Sequence, residues 1–137
     1  MLTLHLETEQ NGELRQRIEG REHTWFADGS EAAGGHDSAP DPHDLFDSAL
    51  AACKAITVMM YAKQRQLPLE RVSIDLIRDN SDERAGTYRL QANLHLIGTQ
   101  LTEEDRQKLL SIADRCPIHK LMTKTTIEVS TQLVAAS

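Results

Sequence analysis

Residues 42–67, PHDLFDSALAACKAITVMMYAKQRQL, constrain this chain more than any other stretch. Phe46, Ala49, Leu50, Cys53, Ile56, Thr57 and Met60 recur at i, i+3, i+4 and i+7, the spacing of one helical face. Asp41 stands where a cap is needed, Pro42 suits the first helical position, and Asp44 puts negative charge in the first turn. Lys63, Arg65 and then Pro68 mark the end. Some 25 helical residues make a rod of roughly 37 Å, long for a chain of 137 residues. Ser48-Ala49-Leu50-Ala51-Ala52 lets another backbone approach closely, and Cys53 sits where that small-residue run ends.

A helix of this kind needs cover on several sides, and one small domain supplies little. Aromatic residues are 4% of the chain, so the core must be mostly aliphatic. The expectation is therefore a single domain over 1–137 that works as a homodimer. A net charge of −6 with no basic patch argues against nucleic acid or an anionic membrane as partner. The opening MLTLHLETEQ lacks the charged-then-apolar pattern of a signal peptide. No apolar run is expected to reach bilayer length. The reading is a cytoplasmic protein, whose two cysteines are then not a structural staple.

Strand patterns flank the helix. Leu2, Leu4 and Leu6 alternate with Thr3, His5 and Glu7, predicting a half-buried strand over 1–9. Gln10-Asn11-Gly12 signals a turn, residues 13–18 return, and residues 23–27 make a third strand closed by Asp28-Gly29. Residues 30–41, SEAAGGHDSAPD, read as a long loop in which His36 is solvated. Beyond the helix, residues 72–78 and 88–97 alternate as a pair with one wet face. Thr102 with Glu103, Glu104 and Asp105 opens a second long helix. Pro117 ends it, leaving Cys116 as cap and Pro117 as first residue of a short third helix. Residues 126–134, with Ile127, Val129, Thr131 and Leu133 facing one way, predict a last strand. The order is βββ-α-ββ-αα-β, an α+β fold with mostly antiparallel sheet.

The cysteines carry the chemical signal. Cys53, mid-helix on the apolar face, needs a cation from elsewhere to react. Cys116, as a helix cap near Arg115, His119 and Lys120, is expected to favour its thiolate. Such a pair suits a dithiol/disulfide couple, in which one sulfur is oxidised to sulfenic acid and the other closes a disulfide. A metal site from Cys53, Cys116 and His43 or His119 lacks the close ligand spacing of zinc sites, and no cofactor is called for.

Residues 40–53, PDPHDLFDSALAAC, resemble the N-P-E-x-L-(x)7-C segment that opens the central helix of the OsmC/Ohr proteins. Residues 115–122, RCPIHKLM, resemble the C-P-(V/I)-(S/H) segment of their second cysteine, and the element order agrees along essentially the whole chain. The resemblance implies an intertwined homodimer with antiparallel sheets wrapped around two long central helices. It also implies a thiol peroxidase that reduces organic hydroperoxides, with Cys53 peroxidatic, Cys116 resolving and a dithiol as reductant. The family glutamate after the proline is replaced here by His43, followed by Asp44. The arginine that glutamate normally holds against the first cysteine is looked for among Arg15, Arg17 and Arg21, with Arg15 and Arg17 preferred. His43 lies roughly 15 Å from Cys53 along one helix axis, so it can reach that thiol only across a dimer interface, and otherwise it reads as a solvated first-turn residue. The competing reading is a non-peroxidase OsmC-like dimer that binds a small apolar or thiol-reactive ligand at the cysteine pocket.

Overall fold

The computed structural model describes residues 1–135. Strands β1 (His5–Thr8), β2 (Gln16–Gly20) and β3 (His23–Ala27) precede helix α1 (Pro42–Gln64). Strands β4 (Arg71–Asp79) and β5 (Arg89–Ile97) follow, then α2 (Glu103–Ala113) and α3 (Pro117–Lys124). One sheet has the order β1-β2-β3, the other pairs β4 with β5. The α+β class and the element order through α3 are those expected. The chain packs as two compact units, residues 1–49 with 76–91, and residues 50–75 with those from 92 onward.

In the first unit, β1-β2-β3 is an antiparallel meander in which Ile18 stands opposite both Leu6 and Trp25. The β2–β3 reversal uses only Arg21 and Glu22, at φ 49° and 71°. Two consecutive left-handed residues fit the right-handed twist of the strands they join, but they favour Asn-Gly over Arg-Glu. The loop after β3 is organised by one carboxylate. Buried Asp28 accepts hydrogen bonds from the backbone N–H groups of Gly29, His36 and Ser38 and from the Ser38 hydroxyl. Gly35 is required there, because a Cβ would collide with the Gly29 carbonyl.

In the second unit, the later turns of α1 pack on α2. Val58, Ala62, Leu109 and Ala113 are the buried centre, flanked by Tyr61, Leu67, Leu69, Val72, Leu94, Leu96 and Leu101. Helix α2 starts in a reciprocal capping box, Thr102 accepting from the Asp105 N–H while the Asp105 carboxylate accepts from the Thr102 N–H, which satisfies two otherwise orphaned donors.

Four expectations need correction. The face of α1 buried by this chain runs through Asp47, Leu50, Lys54, Val58 and Ala62, whereas Phe46, Ile56 and Met60 of the expected face are exposed. A helix apolar nearly all round has no single preferred face by pattern. Residues 125–135 form no strand, and Ile127 and Val129 are 62% and 82% exposed. A strand exists only through ladder hydrogen bonds to a neighbouring strand, and among the described residues this segment pairs with none. Leu2, Leu4 and Leu6 are exposed rather than half-buried. Finally, Pro42–Gln64 is long and apolar enough to cross a bilayer by length and composition alone, contrary to the expectation that no run would be.

The Asp28 cluster sets a pH signature. Its four hydrogen bonds, led by those from Ser38, hold the carboxyl at about 2, below its ordinary 3.8. A folded value below the unfolded one contributes stability above the unfolded pKa, and that contribution disappears as pH falls through the folded value. Asp28→Asn is thus expected to be less stable than the parent at neutral pH. The gap should close between pH ~4 and ~2, as read from denaturant midpoints across that range.

Candidate functional site

The two cysteines come together in the second unit. Cys53 lies in mid-α1 and is half-buried; Cys116 is fully buried. Both thiols are free, and Cys53 lies near enough to Cys116 to act on its titration. Cys116 caps α3 as expected: its Sγ accepts from the His119 N–H at 3.3 Å, and Pro117 opens the helix. The expectation that this cap favours the thiolate is corrected. Burial is the largest influence and pushes the Cys116 thiol up, with Cys53 adding to it, against the His119 N–H and the charge of Lys54. Desolvation outweighs one hydrogen bond and a helix end.

The cation beside the thiols is Lys54, which the sequence reading passed over. Its side chain is 5% exposed. Its Nζ donates to the Ala113 carbonyl at 3.2 Å, Asp114 Oδ1 at 3.3 Å and His119 Nδ1 at 2.9 Å. These three acceptors match the three protons of an ammonium. The Ala113 carbonyl belongs to the last turn of α2, where the helix dipole favours positive charge. The signal was there to read: Lys54 is the sole charge between Asp47 and Lys63, and a lysine inside an apolar helical stretch needs built-in partners.

The other expected site residues lie in the first unit, each with its own partner. Arg15 donates to Glu9 at 2.6 Å and to Ser38, with its guanidinium 4.3 Å from the Phe26 ring centre. Arg17 pairs with Glu19 at 2.7 Å. His43 is not simply solvated. Its Nε2 meets the Glu83 carboxylate at 3.0 Å, and its ring lies 5.9 Å from that of Tyr88. Beside it, Arg78 grips two carboxylates, with Nε on Asp47 at 2.6 Å and a terminal nitrogen on Asp44 at 2.9 Å. Tyr88 donates to the second Asp47 oxygen at 2.7 Å. Burial first, and then this bond, push the Tyr88 phenol up to about 12. Pro42, His43, Phe46, Glu83 and Tyr88 line a cavity of about 350 Å³. Among the described residues no three His, Cys, Asp or Glu side chains stand close enough to hold a metal ion.

The family model described as OsmC-like protein matches residues 35–132, from the Asp28-anchored loop through both cysteines. The chain belongs to the OsmC-like family. No curated protein matches this OsmC-like chain significantly in sequence, but solved structures share its fold. An organic hydroperoxide resistance protein OsmC from Legionella pneumophila is 20% identical with a TM-score of 0.64, and 90% of each chain is covered. An osmotic stress induced and detoxification response protein from Psychrobacter arcticus gives 18% and 0.73, again with 90% of each chain covered. An OsmC-like protein from Mycoplasma pneumoniae gives 15% and 0.69, with 90% of this chain and 88% of that one covered.

The Arg78 cluster fixes the first turns of α1 in this OsmC-like protein. Removing its cation leaves the largely buried Asp47 short of a charged donor. Arg78→Met is therefore expected to lower the midpoint of urea unfolding. Arg78→Lys should recover only part of that, since one ammonium cannot reproduce a guanidinium fork.

Proposed function

We propose that this chain is a thiol-dependent peroxidase of organic hydroperoxides, working through Cys53 and Cys116. The observation that carries the reading is two free thiols, one half-buried and one fully buried, near enough for Cys53 to push the Cys116 thiol up. The more accessible sulfur is the one a bulky peroxide can meet, and the sequestered one is suited to resolve it. Family membership and the fold shared with organic hydroperoxide resistance proteins support the same reading.

The thiolate of Cys53 attacks the terminal peroxide oxygen. An S–O bond forms, the O–O bond breaks, and the departing alkoxide takes a proton to leave as alcohol. Sulfur gives up two electrons and becomes a sulfenic acid. The sulfur of Cys116 then attacks Cys53, the sulfenic oxygen leaves with two protons as water, and a disulfide forms. A dithiol reductant restores both thiols by exchange and leaves as its own disulfide. The cycle requires a reducing compartment, which fits a cytoplasmic location.

The working form in this reading is a homodimer. A single chain exposes Phe46, Ile56, Met59 and Met60 along α1, as well as Leu2, Leu4, Leu6, Ile127 and Val129. That is more bare apolar surface than soluble monomers tolerate. A second copy covers such surface and gives residues 126–134 a strand partner. Arg15, Arg17 and His43 then remain candidates for auxiliary roles at the Cys53 of the partner.

Two expectations test this. Sedimentation at micromolar concentration should return the mass of two chains, and a single-chain mass counts against the assembly. In rapid-mixing peroxide consumption, Cys53→Ser should lose all turnover. Cys116→Ser should complete one oxidation and stall, resuming only with external thiol. Equal loss of the first turnover in both variants would reject the division of roles.

A further inference from the structure

We infer that Lys54 is a positioning residue whose buried ammonium, locked between the end of α2 and the start of α3, holds Cys116 ready to react as a thiolate. The inference rests on the peroxidase reading for its chemical meaning and adds a residue to it. Three features carry it. Lys54 neighbours Cys53 on α1, its side chain is almost wholly buried, and its hydrogen bonds end on the two segments that frame Cys116. Ala113 and Asp114 close α2, and His119 is the residue whose N–H donates to the Cys116 sulfur. Because His119 Nδ1 accepts from Lys54, the ring proton lies on Nε2, and the imidazole is fixed with its backbone N–H against the thiol.

A fully buried thiol is driven toward its neutral form, yet resolution needs its thiolate. In that step the Cys116 thiolate attacks the Cys53 sulfur, an S–S bond forms, the S–O bond breaks, and hydroxide leaves to be protonated as water. The groups that act on Cys116 are the Cys53 thiol on α1, the Lys54 ammonium next to it in sequence and the His119 N–H on α3, which touches the sulfur; the Asp114 carboxylate pairs with Lys54 at the close of α2. Of these, Lys54 and the N–H favour the thiolate, while burial and Cys53 oppose it. Arg115 instead lines a groove with Thr57, Met60, Tyr61, Gln64, Ile112 and Pro117.

The test reads the Cys116 pKa from thiolate ultraviolet absorbance in a Cys53→Ser background, where it is the sole cysteine. Lys54→Met should raise that pKa by about one unit or more, and Lys54→Arg, which keeps the charge, should stay nearer the parent. Asp114→Asn alters an exposed side chain and frees Lys54 of its counter-charge, so it should lower the value. An unchanged pKa in Lys54→Met, or a rise of equal size in Lys54→Arg, overturns the inference. Where Lys54→Met fails to fold, Asp114→Asn decides: a value that stays or rises overturns it. Peroxide turnover plays no part in this measurement. A protein with the expected shifts but no peroxidase activity would keep Lys54 in its role and remove the reading above.

Discussion

The constraint on which the structure depends is a 23-residue apolar helix in a chain of 137 residues. A helix buries one stripe against one partner, and α1 has apolar residues on more than one stripe. Each stretch of it therefore calls on different cover. Its first turns are tied down by polar contacts, Arg78 and Tyr88 converging on Asp47. Its later turns are covered by Leu109 and Ala113 of α2. The remaining stripe, with Ile56, Met59 and Met60, stays exposed among the described residues. The same sequence property explains why Pro42–Gln64 has bilayer-like composition and yet carries Asp47 and Lys54, both buried and both fully hydrogen-bonded. Ionisable groups with this many built-in partners belong to a protein interior.

Where local chemistry alone decides, the sequence was legible. The Thr102–Asp105 box and the Cys116-Pro117 helix start each need only a few neighbouring residues, and both were found where the pattern put them. Strand β3 was located to the residue, because its apolar run ends at Asp28-Gly29. The β2–β3 turn was illegible for the opposite reason. Arg21-Glu22 has none of the chemistry of a left-handed pair, so pairing between the strands, and not turn preference, imposes its backbone. Residues 126–134 alternate as a strand should, but alternation records only a face to be buried. It cannot say whether the partner strand lies in the same chain.

The candidate site divides along the same line. That Cys53 and Cys116 belong together came from resemblance, since they lie 63 positions apart in sequence and no spacing rule brings them close. Lys54 was hidden by its place in an apolar segment, where pattern reading treats one polar residue as an interruption. Its meaning lies in three acceptors 59, 60 and 65 residues away. His43 was expected to be solvated because first-turn residues usually are, and Glu83, forty residues on, gives it a partner.

Positive charge can reach this pair of thiols in two ways. An arginine brought from the N-terminal strands reaches such a site only when another element holds it there, and in this chain Arg15 and Arg17 are engaged by Glu9, Ser38 and Glu19. A lysine one residue from the first cysteine is delivered by the helix itself and needs only acceptors. The end of α2 supplies one carbonyl and one carboxylate, and α3 supplies one imidazole nitrogen. The segment that joins those two helices also carries the second cysteine. Folding α2 and α3 against α1 therefore assembles both sulfurs and the cation in one step. The exposed carboxylate of Asp114 then tempers the ammonium without removing it, because its own charge is partly screened by water. The result is a buried thiol kept neutral by its surroundings at rest, with a fixed positive charge close by to stabilise the anion when it forms.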